Sequence, residues 1–161
     1  MAVRIPQVLI AAQVFVDGEG FLGTIDLTLP NITKKKVTQS SGVGDYDIGL
    51  PTLEKIETTA TVREYSKTVF GLLSEGKTII VKKAYKQGST TVAVEATFKG
   101  SFDLEDSDQT PGKNAELKLK IAASYYRLEV ANEEWIEVDH VNHILKIDGT
   151  DMLAEVNEII S

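Results

Sequence analysis

A run of alternating side chains over residues 90–104 constrains the fold of this chain more than any other feature. The apolar members of the run are Val92, Val94, Ala96, Phe98, Phe102 and Leu104. The positions between them are mainly polar, as at Glu95, Thr97 and Asp103. Because successive side chains of a strand point to opposite faces, the pattern predicts an antiparallel strand with one buried face. Such a strand exceeds the usual length of about five or six residues, and the edges of a sheet built from it need cover.

Other segments share this period-two character, and in the segment 114–130 it predicts that Leu117, Leu119 and Ile121 lie on one face. Besides 90–104, the predicted strands span residues 7–16, 21–29, 31–37, 53–63, 78–85, 114–130, 134–139 and 143–148. Residues 64–74 instead place Val69 and Leu72 at helical spacing, which predicts an internal α-helix. A short amphipathic helix is expected over 151–160. The predicted fold is therefore mainly β, with two antiparallel sheets packed as a sandwich or barrel and one flanking α-helix.

Composition excludes several classes of protein. The chain has 161 residues, which suits one domain spanning 1–161, and it contains no cysteine for disulfides or thiolate metal sites. Its net charge of −7 argues against tight binding of nucleic acid, which depends on Lys and Arg contacts to phosphate. No basic segment followed by an apolar run opens the sequence, and no stretch approaches the roughly 20 apolar residues of a membrane helix. We therefore expect neither a secretory signal nor membrane anchoring.

The segment of residues 38–52, TQSSGVGDYDIGLPT, contains three glycines and one proline among polar residues. This composition predicts no packed element. Long loops without secondary structure are uncommon in compact domains and are usually functional or disordered. Because predicted strands flank the segment, we expect an extended arm at about 38–51.

One motif matches a nucleotide-binding signature. Residues 71–78, GLLSEGKT, fit the pattern G-x-x-x-x-G-K-[ST]. A phosphate-binding loop follows a strand and opens a helix, so that the helix N-terminus faces the phosphates. Here the predicted helix comes first and a predicted strand follows. The order favours a helix that ends near Gly76, not a nucleotide site.

The sequence predicts no metal ligands and no catalytic residues. His140 and His143 lie three positions apart in a segment expected to be extended, where they would point to opposite faces. The acidic loop 105–113 lacks the glycine turn and the distal glutamate of a calcium loop. With two neighbouring histidines, no Ser-His-Asp set can be assigned. We therefore expect a protein that is not an enzyme and that needs no cofactor.

Motifs of one family occur along most of the chain, most specifically at its two ends. The closing motif is residues 125–151, YYRLEVANEEWIEVDHVNHILKIDGTD. The opening and middle motifs are VFVDG at 14–18, Phe21, Gly23, LTLP at 27–30, ITKKK at 32–36 and TVAVE at 91–95. Together these segments resemble the major tail tube proteins of contractile-tailed bacteriophages and of related phage-tail-like bacteriocins.

This resemblance implies a structural role. Tail tube proteins of the family form hexameric rings, the rings stack into a hollow tube inside a contractile sheath, and sheets from neighbouring copies join into one inner barrel. The implied partners are the sheath protein, the tail initiator or baseplate, and terminator proteins. DNA would pass through the lumen without specific binding. The implied location is the virion, after assembly in the host cytoplasm.

The resemblance also implies roles for two sets of residues. The arm at 38–51 is similar to the family's extended loop, which contacts an adjacent ring or subunit, although it is shorter and lacks an Arg-Gly stretch. The arm residues expected in such contacts are Ser40, Ser41, Gly42, Val43, Gly44, Asp45 and Tyr46. The polar faces of the long strands are candidates for the lumen. The candidate lumen-facing residues are Glu95, Thr97, Asp103 and Glu116.

Two alternatives stay open at this point. The tube of a related contractile particle, a bacteriocin or a secretion-type system, would have the same fold but would deliver protein or depolarise a membrane. A monomeric β-sandwich that binds a ligand such as carbohydrate would favour exposed aromatic clusters. Only Tyr125, Tyr126 and Trp135 come near such a cluster.

Overall fold

Strands dominate the structure, a computed structural model that describes residues 5–16, 25–65, 67–74, 76–106, 110–113 and 115–160. The strands are β1 (Val8–Val16), β2 (Ile25–Leu27), β3 (Lys34–Ser41), β4 (Gly44–Leu53), β5 (Ile56–Val62), β6 (Thr78–Gln87), β7 (Thr90–Asp106), β8 (Leu117–Val130), β9 (Glu133–Asp139), β10 (Ile144–Ile147) and β11 (Thr150–Asp151). The helices described are α1 (Lys67–Phe70), which continues into a 3-10 turn at Gly71–Leu73, and α2 (Ala154–Ile160). The prediction of a mainly β fold with antiparallel sheets is confirmed.

Nine of these strands form one antiparallel sheet. Its main order is β1-β6-β7-β8-β9-β10-β11, and β5 and β2 are attached through β8. Strand β8 organises the sheet, because its whole length pairs with β7 while its first half also pairs with β5 and its second half with β9. Strands β3 and β4 form a separate two-stranded sheet.

A bend at Gly100 divides the large sheet into two halves. The register between β7 and β8 shifts between Lys99 and Gly100, where the backbone φ is 155°. A Cβ atom at this position would lie 2.2 Å from the carbonyl oxygen of Ala122 and 2.8 Å from the main-chain nitrogen of Ser124. Glycine is therefore required for this close approach, and the irregular register lets the sheet fold over on itself.

The two halves of the sheet close over a single hydrophobic core. Strands on both sides of the bend, together with Val69 and Leu72 of the helical segment, contribute to the same buried cluster. Phe98 and Tyr126 pack within it with ring centroids 5.1 Å apart. The buried positions that alternation predicted on the long strands are confirmed at Ala96, Phe98, Phe102, Leu117, Leu119 and Ile121.

The internal helix is shorter than predicted. Regular helix covers only Lys67–Phe70, and the chain then tightens into the 3-10 turn instead of continuing to residue 74. The main-chain nitrogen and the hydroxyl of Ser74 both donate to the carbonyl oxygen of Gly71, at 3.2 and 2.6 Å. These bonds satisfy a carbonyl that the helix leaves without a partner, so the helix ends early.

Asp17-Gly18 between the predicted strands 7–16 and 21–29 is a signal for a hairpin that joins them, but the described parts of these two segments do not pair with each other. Strand β1 pairs with β6, and β2, which is only three residues long, pairs with β5. The two segments therefore lie in different halves of the folded sheet. The predicted turn at residues 17–20, with the start of the return strand, lies outside the described residues.

Candidate assembly surfaces

The segment predicted to lack secondary structure is a regular β-hairpin, Lys34–Leu53, called the arm below. The prediction of a loop was wrong because cross-strand pairs order these polar residues. The Thr38 hydroxyl donates to the Asp47 carboxylate at 2.9 Å, and the Ser40 hydroxyl donates to Asp45 at 2.8 Å. All seven residues expected in subunit contacts, from Ser40 to Tyr46, lie at the tip of the arm.

The arm has one polar and one apolar face. Thr38, Ser40 and their aspartate partners form the polar face. The apolar face pairs Val37 with Ile48 and adds Tyr46, and these side chains are 43%, 41% and 52% exposed. An isolated two-stranded hairpin is at best marginally stable in water. An apolar face left open on such a hairpin therefore indicates that another molecule covers it.

The first half of β1 is a second apolar surface left open. Strand β1 ends the order of the large sheet, and in the described part of the chain it pairs only with β6. Val8, Leu9 and Ile10 are 65%, 49% and 57% exposed, although successive residues point to opposite faces. Edge strands of monomers are usually protected by charge, yet residues 5–16 carry none. That uncharged run was a signal in the sequence that identifies this surface, and our reasoning missed it.

Helix α2 covers the opposite end of the sheet. The main-chain nitrogen of Met152 donates to the carbonyl oxygen of Leu145 at 2.7 Å, and the Asn157 side chain donates to the carbonyl oxygen of His143 at 2.9 Å. These bonds hold the helix beside β10. The apolar side chains that it leaves exposed are Val156, Ile159 and Ile160. A third uncovered apolar surface therefore lies at the end of the sheet remote from β1.

The four candidate lumen residues share an outward orientation but do not lie together. Glu95 and Thr97 are on β7 before the bend and face away from the core. Asp103 lies on β7 after the bend, opposite Lys120, and Glu116 directly precedes β8. Because the bend at Gly100 separates the two pairs, they occupy different halves of the sheet.

Charges on the outward faces are matched across strands. Arg127 contacts Glu129 at 2.6 Å and Glu134 at 3.0 Å in the half that contains Glu95. In the other half, the Lys120 ammonium lies 3.0 Å from Glu105, whose pKa this hydrogen bond lowers. The outward surface is therefore polar with both signs interspersed.

The aromatic residues considered for ligand binding do not form an exposed cluster. Tyr126 is buried beside Phe98, and this burial raises its pKa to about 12. Burial, with a 3.0 Å hydrogen bond from its hydroxyl to Glu137, raises the pKa of Tyr125 to about 12. Trp135 is 47% exposed. Of the two tyrosines, only Tyr125 is partly exposed, so these three residues do not form an aromatic surface on which a sugar ring could stack.

A cleft of about 950 Å³ lies at the bend of the sheet. Its walls come from the base of the arm at Lys35, the end of the 3-10 turn at Leu72, the bend at Ser101, and the β9–β10 connection with His140 and His143. Among the described residues, no group of three or more His, Cys, Asp or Glu side chains is placed to hold a metal ion. The cleft thus brings the two histidines together without a third ligand.

The expectation that residues 140–143 are extended was wrong. They form a turn in which the Asp139 carboxylate accepts hydrogen bonds from the main-chain nitrogens of Val141 and Asn142, at 3.0 and 3.2 Å. The Asn142 side chain also donates to it at 2.7 Å, and this bond is the main cause of the lowered pKa of Asp139. An aspartate that bonds the backbone two residues ahead favours a turn over a strand.

The nucleotide-type motif has the order of elements that the sequence indicated. Gly71 begins the 3-10 turn, Gly76 follows with a φ of 80°, and Thr78 opens β6. A helix therefore precedes the motif and a strand follows it, the reverse of a phosphate-binding loop. Separately, the helices in the described residues are all too short or too polar to cross a bilayer.

The folded-over sheet, the open arm and the uncovered ends of the sheet together define a structural protein with surfaces for association. Comparison with known proteins gives its family: the model of the phage tail tube protein FII family matches residues 6–160, and the chain belongs to that family. The tail tube protein of Escherichia phage P2 is 26% identical over 168 residues, covering 93% of this chain and 94% of that protein.

Solved structures share the fold. The sheath/tube terminator of an extracellular contractile injection system, PVC, in its extended state superposes with a TM-score of 0.60 at 13% identity, over 80% of this chain and 99% of that one. The tube-terminating cap of the anti-feeding prophage gives a TM-score of 0.58 at 14% identity, over 81% of this chain and 95% of that one. The chain is therefore a structural component of a phage-type tail, with the fold that contractile systems use.

Proposed function

We propose that copies of this chain form hexameric rings, and that the rings stack into the inner tube of a contractile tail through which DNA is ejected. Membership of the tail tube family over residues 6–160 supports the tube. The observation that carries assembly is that the arm and β1 keep apolar side chains exposed in the single chain. Burying such surface on a second copy is favourable by roughly 25 cal/mol per Å².

Ring closure joins sheets through the free edge of β1. Val8 and Leu9 leave that strand apolar on both faces, and its outer edge, which pairs with no other described strand, can add to the sheet edge of a second copy. The contact is heterologous, because different surfaces of the two copies meet, and such contacts close into rings or continue as filaments. The arm supplies the further contact, to an adjacent subunit or ring.

The lumen is then lined by the half of the sheet that contains β1. In that half, Glu95 and Thr97 face away from the core, whereas Asp103 and Glu116 belong to the half beyond the bend and face elsewhere. The wall around Glu95 carries interspersed charges, including Lys82 and Glu129 on the neighbouring strands. Because acidic side chains stand among the basic ones on this wall, DNA phosphates bind it less than a uniformly basic surface, which suits a conduit.

Other tail proteins meet the tube at its ends and on its outside. Two proteins of the same fold are described as a sheath/tube terminator and as a tube-terminating cap. We propose that a terminator and an initiator or baseplate protein contact the end rings and that a sheath surrounds the outer wall. The assembled tube would be part of the virion, after assembly in the host cytoplasm.

The arm provides the direct test of assembly. Val37→Ser with Ile48→Ser removes the apolar cross-strand pair, while Val141→Ser makes the same chemical change in an exposed turn outside the arm. Losing at least 1.4 kcal/mol of contact raises the protein concentration needed for half-assembly about tenfold. Sedimentation velocity measures that concentration, and circular dichroism checks that the variants stay folded.

The proposal expects impaired assembly for the arm variant alone. Equal assembly of the arm variant, the Val141 control and the original chain would show that the arm takes no part in it. A chain that stays monomeric under every condition, including added tail initiator, would contradict the tube and favour a monomeric binding module.

One alternative differs only in the cargo. Contractile injection systems use the same fold, so a tube of this chain in a bacteriocin or secretion-type particle would deliver protein or depolarise a membrane. Mass spectrometry and nucleic-acid staining of purified particles separate the two. DNA in the lumen supports the phage tail, and protein or an empty lumen supports the alternative.

A further inference from the structure

The base of the arm concentrates positive charge. Lys34, Lys35 and Lys36 follow one another, and residues 31–44 contain no acidic residue. All three lysines are exposed on β3. Across the described residues, ion pairs involve other lysines and arginines of the molecule, such as Lys120 and Arg127, and none joins these three to a carboxylate. The base of the arm is therefore a basic surface beside the open apolar face of Val37 and Ile48.

The C-terminal segment, residues 147–160, has the opposite character. It contains Asp148, Asp151, Glu155 and Glu158 and no Lys or Arg. Asp151 accepts a hydrogen bond from the main-chain nitrogen of Leu153 at 3.0 Å and so caps the start of α2. Beside these acids, Ile159 and Ile160 are 75% and 71% exposed. The segment is thus acidic and apolar, whereas the base of the arm is basic beside an apolar face and the tip carries Asp45 and Asp47.

We infer that the arm of one copy docks on the C-terminal segment of a second copy, with Val37, Tyr46 and Ile48 against the apolar side of α2 and the lysine-rich base of the arm beside its acids. This inference rests on the proposed ring-forming function and identifies the surface that receives the arm. The basic base of the arm and the acidic C-terminal segment each lie beside open apolar side chains and are therefore complementary in both respects.

The topology directs this contact to another copy. The arm is a separate two-stranded sheet whose β3 residues are all exposed, so its apolar face stays open within its own chain. Helix α2 covers the end of the large sheet opposite β1. A copy that meets its neighbour through β1 on one side therefore presents α2 towards the other side, as a head-to-tail ring requires.

Charge exchange tests the pairing. The first variant carries Lys34→Glu, Lys35→Glu and Lys36→Glu, the second carries Glu155→Lys and Glu158→Lys, and the third combines all five changes. Lys113→Glu makes the same type of change at an exposed position outside both surfaces. Sedimentation gives the concentration for half-assembly, and circular dichroism with thermal melting confirms that each variant folds.

We expect each single-sided variant to need at least tenfold more protein for assembly, the combined variant to recover most of that loss, and the Lys113 variant to match the original chain. Recovery identifies the two surfaces as partners, because two unrelated defects would add. The inference is overturned if the original chain assembles but the combined variant is no better than the worse of its parents, or if neither single-sided variant is impaired. Failure of the original chain to assemble under every condition, including added tail initiator, refutes the proposed function itself.

Zero-length coupling of amines to carboxylates gives a second readout that needs no substitution. An equal mixture of isotopically light and heavy protein is assembled and coupled, and its peptides are analysed by mass spectrometry. The inference expects light–heavy linked peptides that join Lys34–Lys36 to Glu155 or Glu158. Links found only between peptides of the same isotope place the contact within one chain and overturn the inference.

Discussion

Gly100→Ala tests whether the close approach at the bend sets the architecture. The added Cβ would lie 2.2 Å from the Ala122 carbonyl oxygen and 3.0 Å from the Ala123 Cα. Both neighbours are backbone atoms of a paired strand, so relief requires β7 and β8 to separate by about 1 Å and to lose ladder hydrogen bonds. Overpacking costs about 1–3 kcal/mol and an unfavourable φ a similar amount, which together lower the free energy of unfolding by about 2–6 kcal/mol.

Urea denaturation followed by circular dichroism measures this loss, and thermal melting should fall by roughly 10 °C for a chain of this size. Gly71→Ala is the matched control, because a Cβ there meets nothing within 4 Å. It should change the free energy of unfolding by less than about 0.5 kcal/mol. A Gly100→Ala protein that unfolds within 0.5 kcal/mol of the original would refute the reasoning, since the predicted overlap leaves no flexible side chain to move aside.

Three further predictions follow from individual groups. Burial raises the pKa of Tyr126 to about 12, so the contribution of its neutral side chain to the free energy of unfolding is complete below pH 10 and is lost between pH 10 and 12. The original chain should therefore lose about 2–3 kcal/mol more than Tyr126→Phe over this pH range, as measured by urea denaturation. Asp139→Ala should lower the free energy of unfolding by about 1 kcal/mol at pH 7, and the difference from the original should shrink as acid protonates Asp139, whose pKa is lowered in the fold. In tubes, Glu95→Cys should react with a bulky maleimide more slowly than Lys113→Cys, whereas equal rates would place Glu95 outside the lumen.

Local patterns predicted the strands of the core because a period of two needs no knowledge of the rest of the chain. The alternation around Phe98 and Phe102, and that around Leu119 and Ile121, gave the buried face correctly. The bend was not predicted, because glycine is required at position 100 by the backbone of β8, which is distant in sequence. The pairing of β1 with β6 escaped for the same reason, because local turn signals favoured a neighbour in sequence.

The sequence predicted where the arm lies in the chain better than it predicted the arm's secondary structure. The glycines and the proline indicated the position of the arm. Its strand pairing, however, depends on hydrogen bonds from Thr38 and Ser40 to two aspartates on the other strand, and the composition of the segment does not show which residues pair. The turn at His140 carries a signal in the sequence, Asp139 followed by Val141 and Asn142, but the predicted strands on both sides of it favoured an extended segment. Glu95 and Asp103 were predicted to lie on one lumen-facing surface, but the bend between them places them on two different surfaces.

Electron microscopy of the purified protein at high concentration, with mass measurement of the same sample, tests the central claim most directly. The account predicts hollow rings or tubes with hexameric end views and a mass that matches multiples of the 17.6 kDa chain. Solid particles, or a strict monomer even with tail initiator present, would contradict it.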